Sequence, residues 1–208
     1  MRLIYKKKED KRVDRLLDLN SITERQILHI RNTLNTYRFI MSEWNKNGAS
    51  ADFKAEFTSF YMSSQAIMKR EENQKVFFDQ MKRIIDGERL PNLVEKLFEE
   101  MGIGKYEFSF VSKLFHTIHP NLPIYDSKVR NFLKQAKQVD FQLYYKDKIR
   151  KLEAIANDWD ALIRWYESFQ ESIECKEWIR WFDKTFPEFV DISAVKKIDA
   201  IIYECGEN

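Results

Sequence analysis

Only 5 glycines and 4 prolines punctuate this chain of 208 residues, and that scarcity of turn formers constrains the fold before any motif is read. A β-rich chain of such length needs turn residues roughly every ten positions. Apolar residues recur instead at helical spacing, as in Ile27, Ile30, Leu34, Tyr37, Met41 and Trp44, and no alternating run competes with them. The expectation is an all-α fold, with residues 1–208 forming a single helical domain.

Local signals divide the chain into helices. Ser21-x-x-Glu24 reads as a capping box opening a helix that Gly48 ends. Ser50 or Asp52 opens a second, with Phe53 and Phe57 on its apolar face, and a third crosses Val76 to Ile85 and stops at Gly87. Pro91 suits the first position of a fourth, ending at Gly102. A helix across Phe110–Ile118 ends before Pro120, and Asp126 or Ser127 caps the next. Further helices are expected across Tyr144–Ile155, Trp159–Phe169, Glu174–Phe186 and Ala194–Tyr203.

Charge is unevenly spread. The formal net charge is only +2, yet between Lys128 and Lys151 eight Lys/Arg face two acids, while from Leu152 onward six face thirteen. A basic segment of that kind attracts phosphate. Cys175 and Cys205 are the two cysteines, without a Cys-x-x-Cys pair, which excludes a four-cysteine iron–sulfur cluster and argues against zinc. Met1-Arg2-Leu3-Ile4-Tyr5 runs into Lys6-Lys7-Lys8 without the apolar core of a signal peptide, and no stretch approaches a membrane span. The expectation is a cytoplasmic protein that does not engage a membrane.

The segment from 91 to 137 carries the chemistry. Met101-Gly102-Ile103-Gly104-Lys105 forms a short hairpin between two helices, followed by Ser112-Lys113-Leu114-Phe115-His116 and then Pro123-Ile124-Tyr125-Asp126-Ser127-Lys128-Val129-Arg130. Glycines in such a hairpin let backbone N–H groups approach a phosphate, since no Cβ intervenes, and the following helix N-terminus adds a favourable dipole. Asp126 is a good N-cap. Lys128, Arg130, Lys134 and Lys137 follow it on one helix as candidate phosphate contacts.

Over Met101 to Arg130 this pattern resembles the helix-hairpin-helix DNA glycosylase superfamily, and within it the 8-oxoguanine glycosylase-like proteins. The resemblance implies a helix-hairpin-helix fold that binds duplex DNA through Gly102, Gly104, Lys105, Ser109, Lys128, Arg130 and Lys134. It implies base-excision repair of a damaged purine such as 8-oxoguanine, by hydrolase or lyase chemistry. Asp126 would be the carboxylate facing the extruded nucleotide. No organic cofactor is implied, though family hairpins hold a monovalent cation through their carbonyls.

The nucleophile departs from the family pattern. Bifunctional members carry a lysine early in the second hairpin helix, and the matching place here falls on Ser109, which cannot form an imine. Lys105 and Lys113 stand one helical turn to either side and are the candidate catalytic amines with Asp126. A lysine nucleophile needs its ammonium disfavoured by burial or neighbouring positive charge. Three other readings stand beside this one, the last a helical scaffold unrelated to DNA. In the first, Asp126 activates water and no lysine acts. In the second, the chain is a non-catalytic DNA-binding or protein-interaction module that kept the fold.

Tyr125 and Phe108 are candidates for stacking on an extruded base, against the plainer reading that both are core. His116-x-x-His119 has the spacing of a metal pair but lacks a nearby third ligand, so no metal is expected. Trp159, Trp165, Trp178 and Trp181 read as core of the C-terminal helices.

Overall fold

The structure is a computed structural model that describes residues 15–62, 70–100, 108–141 and 148–205. Among these residues it contains nine α-helices and no strand. They are α1 (Glu24–Asn47), α2 (Ala51–Met62), α3 (Glu71–Ile85), α4 (Leu90–Glu100), α5 (Phe108–Ile118), α6 (Ser127–Gln135), α7 (Lys148–Gln170), α8 (Ile173–Thr185) and α9 (Ala194–Cys205).

Local chemistry accounts for most ends. The capping box of α1 lies two residues beyond the expected one. Thr23 Oγ1 accepts from the Gln26 N–H at 3.3 Å, and Gln26 Oε1 accepts from the Thr23 N–H at 2.9 Å. Ser21 instead donates its hydroxyl to the Asp18 carbonyl at 2.7 Å in a preceding 3-10 turn, so the nearer Thr/Gln pair takes the cap. Gly48, at φ +60°, ends α1 and donates to the Trp44 carbonyl. Ser50 opens α2 by accepting from the Phe53 N–H at 3.1 Å, and Ser172 does the same for α8 at Cys175. Pro91 falls at the second position of α4 rather than the first.

Of the two helices expected over Tyr144–Ile155 and Trp159–Phe169, the part from Lys148 onward is one continuous helix, and residues 144–147 lie outside the described residues. Within α7 the polar stretch Ala156-Asn157-Asp158 holds neither proline nor glycine, so nothing locally breaks the ladder. Asp158, which falls in the gap between the two expected helices, is buried.

One apolar core runs through the helices, fed by Phe53, Phe57, Leu114, Trp178, Phe182 and Ile201 among others. Helices α5 and α9 lie deepest: of α5 only Ser109 and Ile118 are other than buried, and α9 is buried from Val195 to Ile202. Helix α1 packs on α2 and α9, α5 on α2, α3 and α4, and α6 on α9. This leaves an internal seam where α1, α2, α5, α9 and the start of α6 converge. No helix among the described residues is long and apolar enough to cross a membrane.

Candidate functional site

At that seam lies a cavity of about 250 Å³. Lys113 enters it from α5, Asp126 from the start of α6, and Lys196 and Asp199 from α9, with Phe60, Tyr61 and Tyr203 as aromatic walls. His29 and Glu204 line it as well, His29 Nδ1 lying 2.5 Å from Glu204 Oε2.

Lys113 is 8% exposed. Its Nζ donates to Ser109 Oγ at 2.7 Å and lies 3.3 Å from the Ser109 carbonyl, 3.7 Å from Asp126 Oδ2 and over the rings of Phe110 and Tyr61. Burial holds its ammonium below the ordinary lysine range, and the Asp126 carboxylate acts in the opposite direction. Asp126 divides its work between two oxygens. Oδ1 accepts from the Lys128 N–H at 2.8 Å and caps α6, while Oδ2 faces Lys113. Capping and proximity to the amine are therefore compatible.

How the two are brought together is visible one residue upstream of each. Ser112 Oγ donates to the Ser109 carbonyl at 2.8 Å and accepts from the Tyr125 N–H at 3.0 Å. Below it, His116 is fully buried. Its Nδ1 lies 2.6 Å from the Leu122 carbonyl, which can only accept, so Nδ1 carries the proton and Nε2 accepts from the Tyr37 hydroxyl at 3.0 Å. Burial foremost, with Lys196 nearby, pushes the His116 pKa down to about 3.

Several expected site residues lie elsewhere. Tyr125 and Phe108 are each 4% exposed and pack edge-on at 4.3 Å, Phe108 also against Trp159. The Tyr125 hydroxyl donates to Asp158 Oδ2 at 2.8 Å. Neither ring offers a face to a nucleotide; both are core, and the aromatic faces at the cavity belong to Phe60, Tyr61 and Tyr203. Arg130 turns inward, 3.7 Å from Asp158 and over the rings of Tyr125 and Phe141, instead of presenting itself to phosphate. A carboxylate buried in α7 demands a cation, and Arg130 is its neighbour. Lys128 lies over Tyr203, its Nζ 4.3 Å from the ring, and Lys134 and Lys137 are exposed.

Ser109 faces the site as a partner of Lys113. His116 and His119 do not form a metal pair, since both ring nitrogens of His116 are engaged and His119 is exposed. No group of three or more His, Cys, Asp or Glu among the described residues is placed to hold a metal. Gly102, Gly104 and Lys105, with the monovalent-cation site that the resemblance puts at the hairpin, lie outside the described residues.

The residues to which sequence reasoning gave no site role are Lys196 and Asp199, an ion pair of 2.7 Å with both side chains 5% exposed. A signal was present. In α9 they interrupt the stripe Val195, Ile198, Ala200, Ile201 and Ile202, which is apolar and buried on every side. Charges inside such a stripe are costly unless paired, and their i,i+3 spacing pairs them. Comparison with known proteins leaves the geometry to speak alone: no protein-family model matches this chain, and no match is found among curated proteins or among solved structures.

Proposed function

We propose that this chain is a helix-hairpin-helix DNA glycosylase that binds duplex DNA and excises a damaged purine, 8-oxoguanine being the first lesion to test. The observation that carries the reading is the meeting of Lys113 and Asp126 at one cavity, 3.7 Å apart, with the amine buried. An amine nucleophile must be neutral to attack, and burial favours its neutral form. In the reaction, Lys113 Nζ would attack C1′ as the base departs with the bonding pair. Asp126 would stabilise positive charge developing on the sugar and take a proton from the attacking amine. Phe60, Tyr61 and Tyr203 would flank the extruded base. The exposed Lys134 and Lys137, with the hairpin glycines, would meet phosphate.

Borohydride trapping tests this reading on duplexes carrying 8-oxoguanine or an abasic site. The expected result is a covalent adduct that Lys113→Ala abolishes. Base release without an adduct would assign the attack to water activated by Asp126. A second reading, a DNA-binding module without catalysis, is favoured by Ser109, which occupies the place the resemblance gives to the nucleophile. It predicts salt-sensitive duplex binding, weakened by Gly104→Glu, with no release from any lesion.

A further inference from the structure

Two ammonium groups and three carboxylates line this one cavity; Glu204 is engaged by His29, and the remaining two Lys–Asp couples are not paired alike. Lys196 and Asp199 form a tight contact of 2.7 Å, with Lys196 Nζ also 5.1 Å from the centre of the Tyr37 ring. Lys113 and Asp126 stand loosely at 3.7 Å, and Lys113 donates its closest hydrogen bond to neutral Ser109. We infer that Lys196 is a positioning residue for Lys113: by engaging Asp199 it withdraws that carboxylate from the amine, which then answers to Asp126. The use made of the amine rests on the glycosylase reading, whereas the control exerted by Lys196 does not.

The physical argument is one of balance. A buried ammonium lining the same cavity as Lys113 disfavours a second positive charge there, and a buried carboxylate favours it. Both influences reach Lys113, Asp199 raising its pKa and Lys196 lowering it. While the α9 pair is intact they oppose each other. The groups facing the amine are then Ser109 on its own helix, Tyr61 on α2, Asp126 at the start of α6, and the α9 pair, with His29 and Glu204 also lining the cavity. Losing either half of the α9 pair unmasks the other, and the two losses act in opposite directions. A purely structural role predicts no such opposition.

The test measures the amine itself and needs no DNA. Trace acetylation with acetic anhydride across pH, with the Lys113 peptide quantified by mass spectrometry, reports the pH at which Lys113 becomes neutral. In Lys196→Met that profile is expected about one pH unit higher, and in Asp199→Asn about one unit lower. In the double variant Lys196→Met/Asp199→Asn it returns close to the parent. Circular dichroism checks that each variant is folded; where Lys196→Met is not, Lys196→Gln takes its place with the same expected rise.

Profiles of both single variants that superimpose on the parent, or move the same way, overturn the inference. Borohydride trapping of the parent protein on abasic duplex is run alongside. Absence of an adduct there, with the opposed shifts intact, removes the glycosylase reading and leaves the role of Lys196 standing. An adduct with unshifted profiles does the reverse.

Discussion

The hydroxyl of Ser112 accepts a hydrogen bond from the backbone N–H of Tyr125 at 3.0 Å, so the residue before Lys113 holds the residue before Asp126. Ser112 is fully buried, and its own proton goes to the Ser109 carbonyl. The distance between amine and carboxylate is thus set by a neighbouring contact that touches neither.

Ser112→Ala leaves the Tyr125 N–H buried without its acceptor, which costs about 1–3 kcal/mol. Urea unfolding is expected to show a loss in that range. On the glycosylase reading, trapping through Lys113 falls as well, because the amine and Asp126 lose their common anchor.

The two oxygens of Asp126 can be separated by substitution. Asparagine caps a helix about as well as aspartate, whereas alanine costs about 1 kcal/mol at an N-cap. Asp126→Asn is therefore expected to unfold at the parent's urea midpoint and Asp126→Ala at a lower one. On the glycosylase reading, both are expected to lose the borohydride adduct. Full adduct formation by Asp126→Asn would remove the carboxylate from the chemistry.

Arg130 and Lys134 share α6 yet face different environments. Asp158 is 1% exposed on its side chain and has Arg130 at 3.7 Å, so Arg130→Gln removes a cation from a buried carboxylate. A loss of about 3 kcal/mol is expected in equilibrium unfolding. Lys134 is exposed, and Lys134→Gln should change stability by less than about 0.5 kcal/mol. On the DNA-binding reading, duplex affinity should respond the other way, with Lys134→Gln weakening it and lowering the salt slope by about one ion.

His116 makes stability depend on pH with a definite sign. Its folded pKa of about 3 lies below the ordinary 6.5, so between those values the unfolded chain binds a proton that the folded chain refuses. Its stabilising contribution is complete above about pH 6.5 and declines by about 1.4 kcal/mol per pH unit below that, towards pH 3. Urea unfolding at pH 7 and pH 5 measures the slope. His116→Gln is expected to flatten it, and an unchanged slope in that variant would assign the acid sensitivity to other groups.

What the sequence determined by itself is local. Few glycines and prolines and a helical apolar period produce helices because each signal acts within a turn or two, and Asp126 caps α6 because its carboxylate reaches a backbone N–H two residues away. The same locality explains what stayed open. Asp158 falls between two expected helices, Tyr125 and Phe108 are stacking candidates with core as the plainer reading, and Arg130 is a candidate phosphate contact. Stacking and phosphate contact need exposed side chains, whereas Asp158, Tyr125 and Phe108 are buried and Arg130 is largely so. Their burial was decided when α7 brought Asp158 to Tyr125 and Arg130, a choice made by packing between distant segments.

Lys196 and Asp199 show the converse. Their i,i+3 spacing is legible, but that their pair would meet Lys113 and Asp126 at one cavity depends on α5, α6 and α9 converging there. No spacing within a helix encodes that meeting, because it arises from burying apolar faces that lie far apart along the chain.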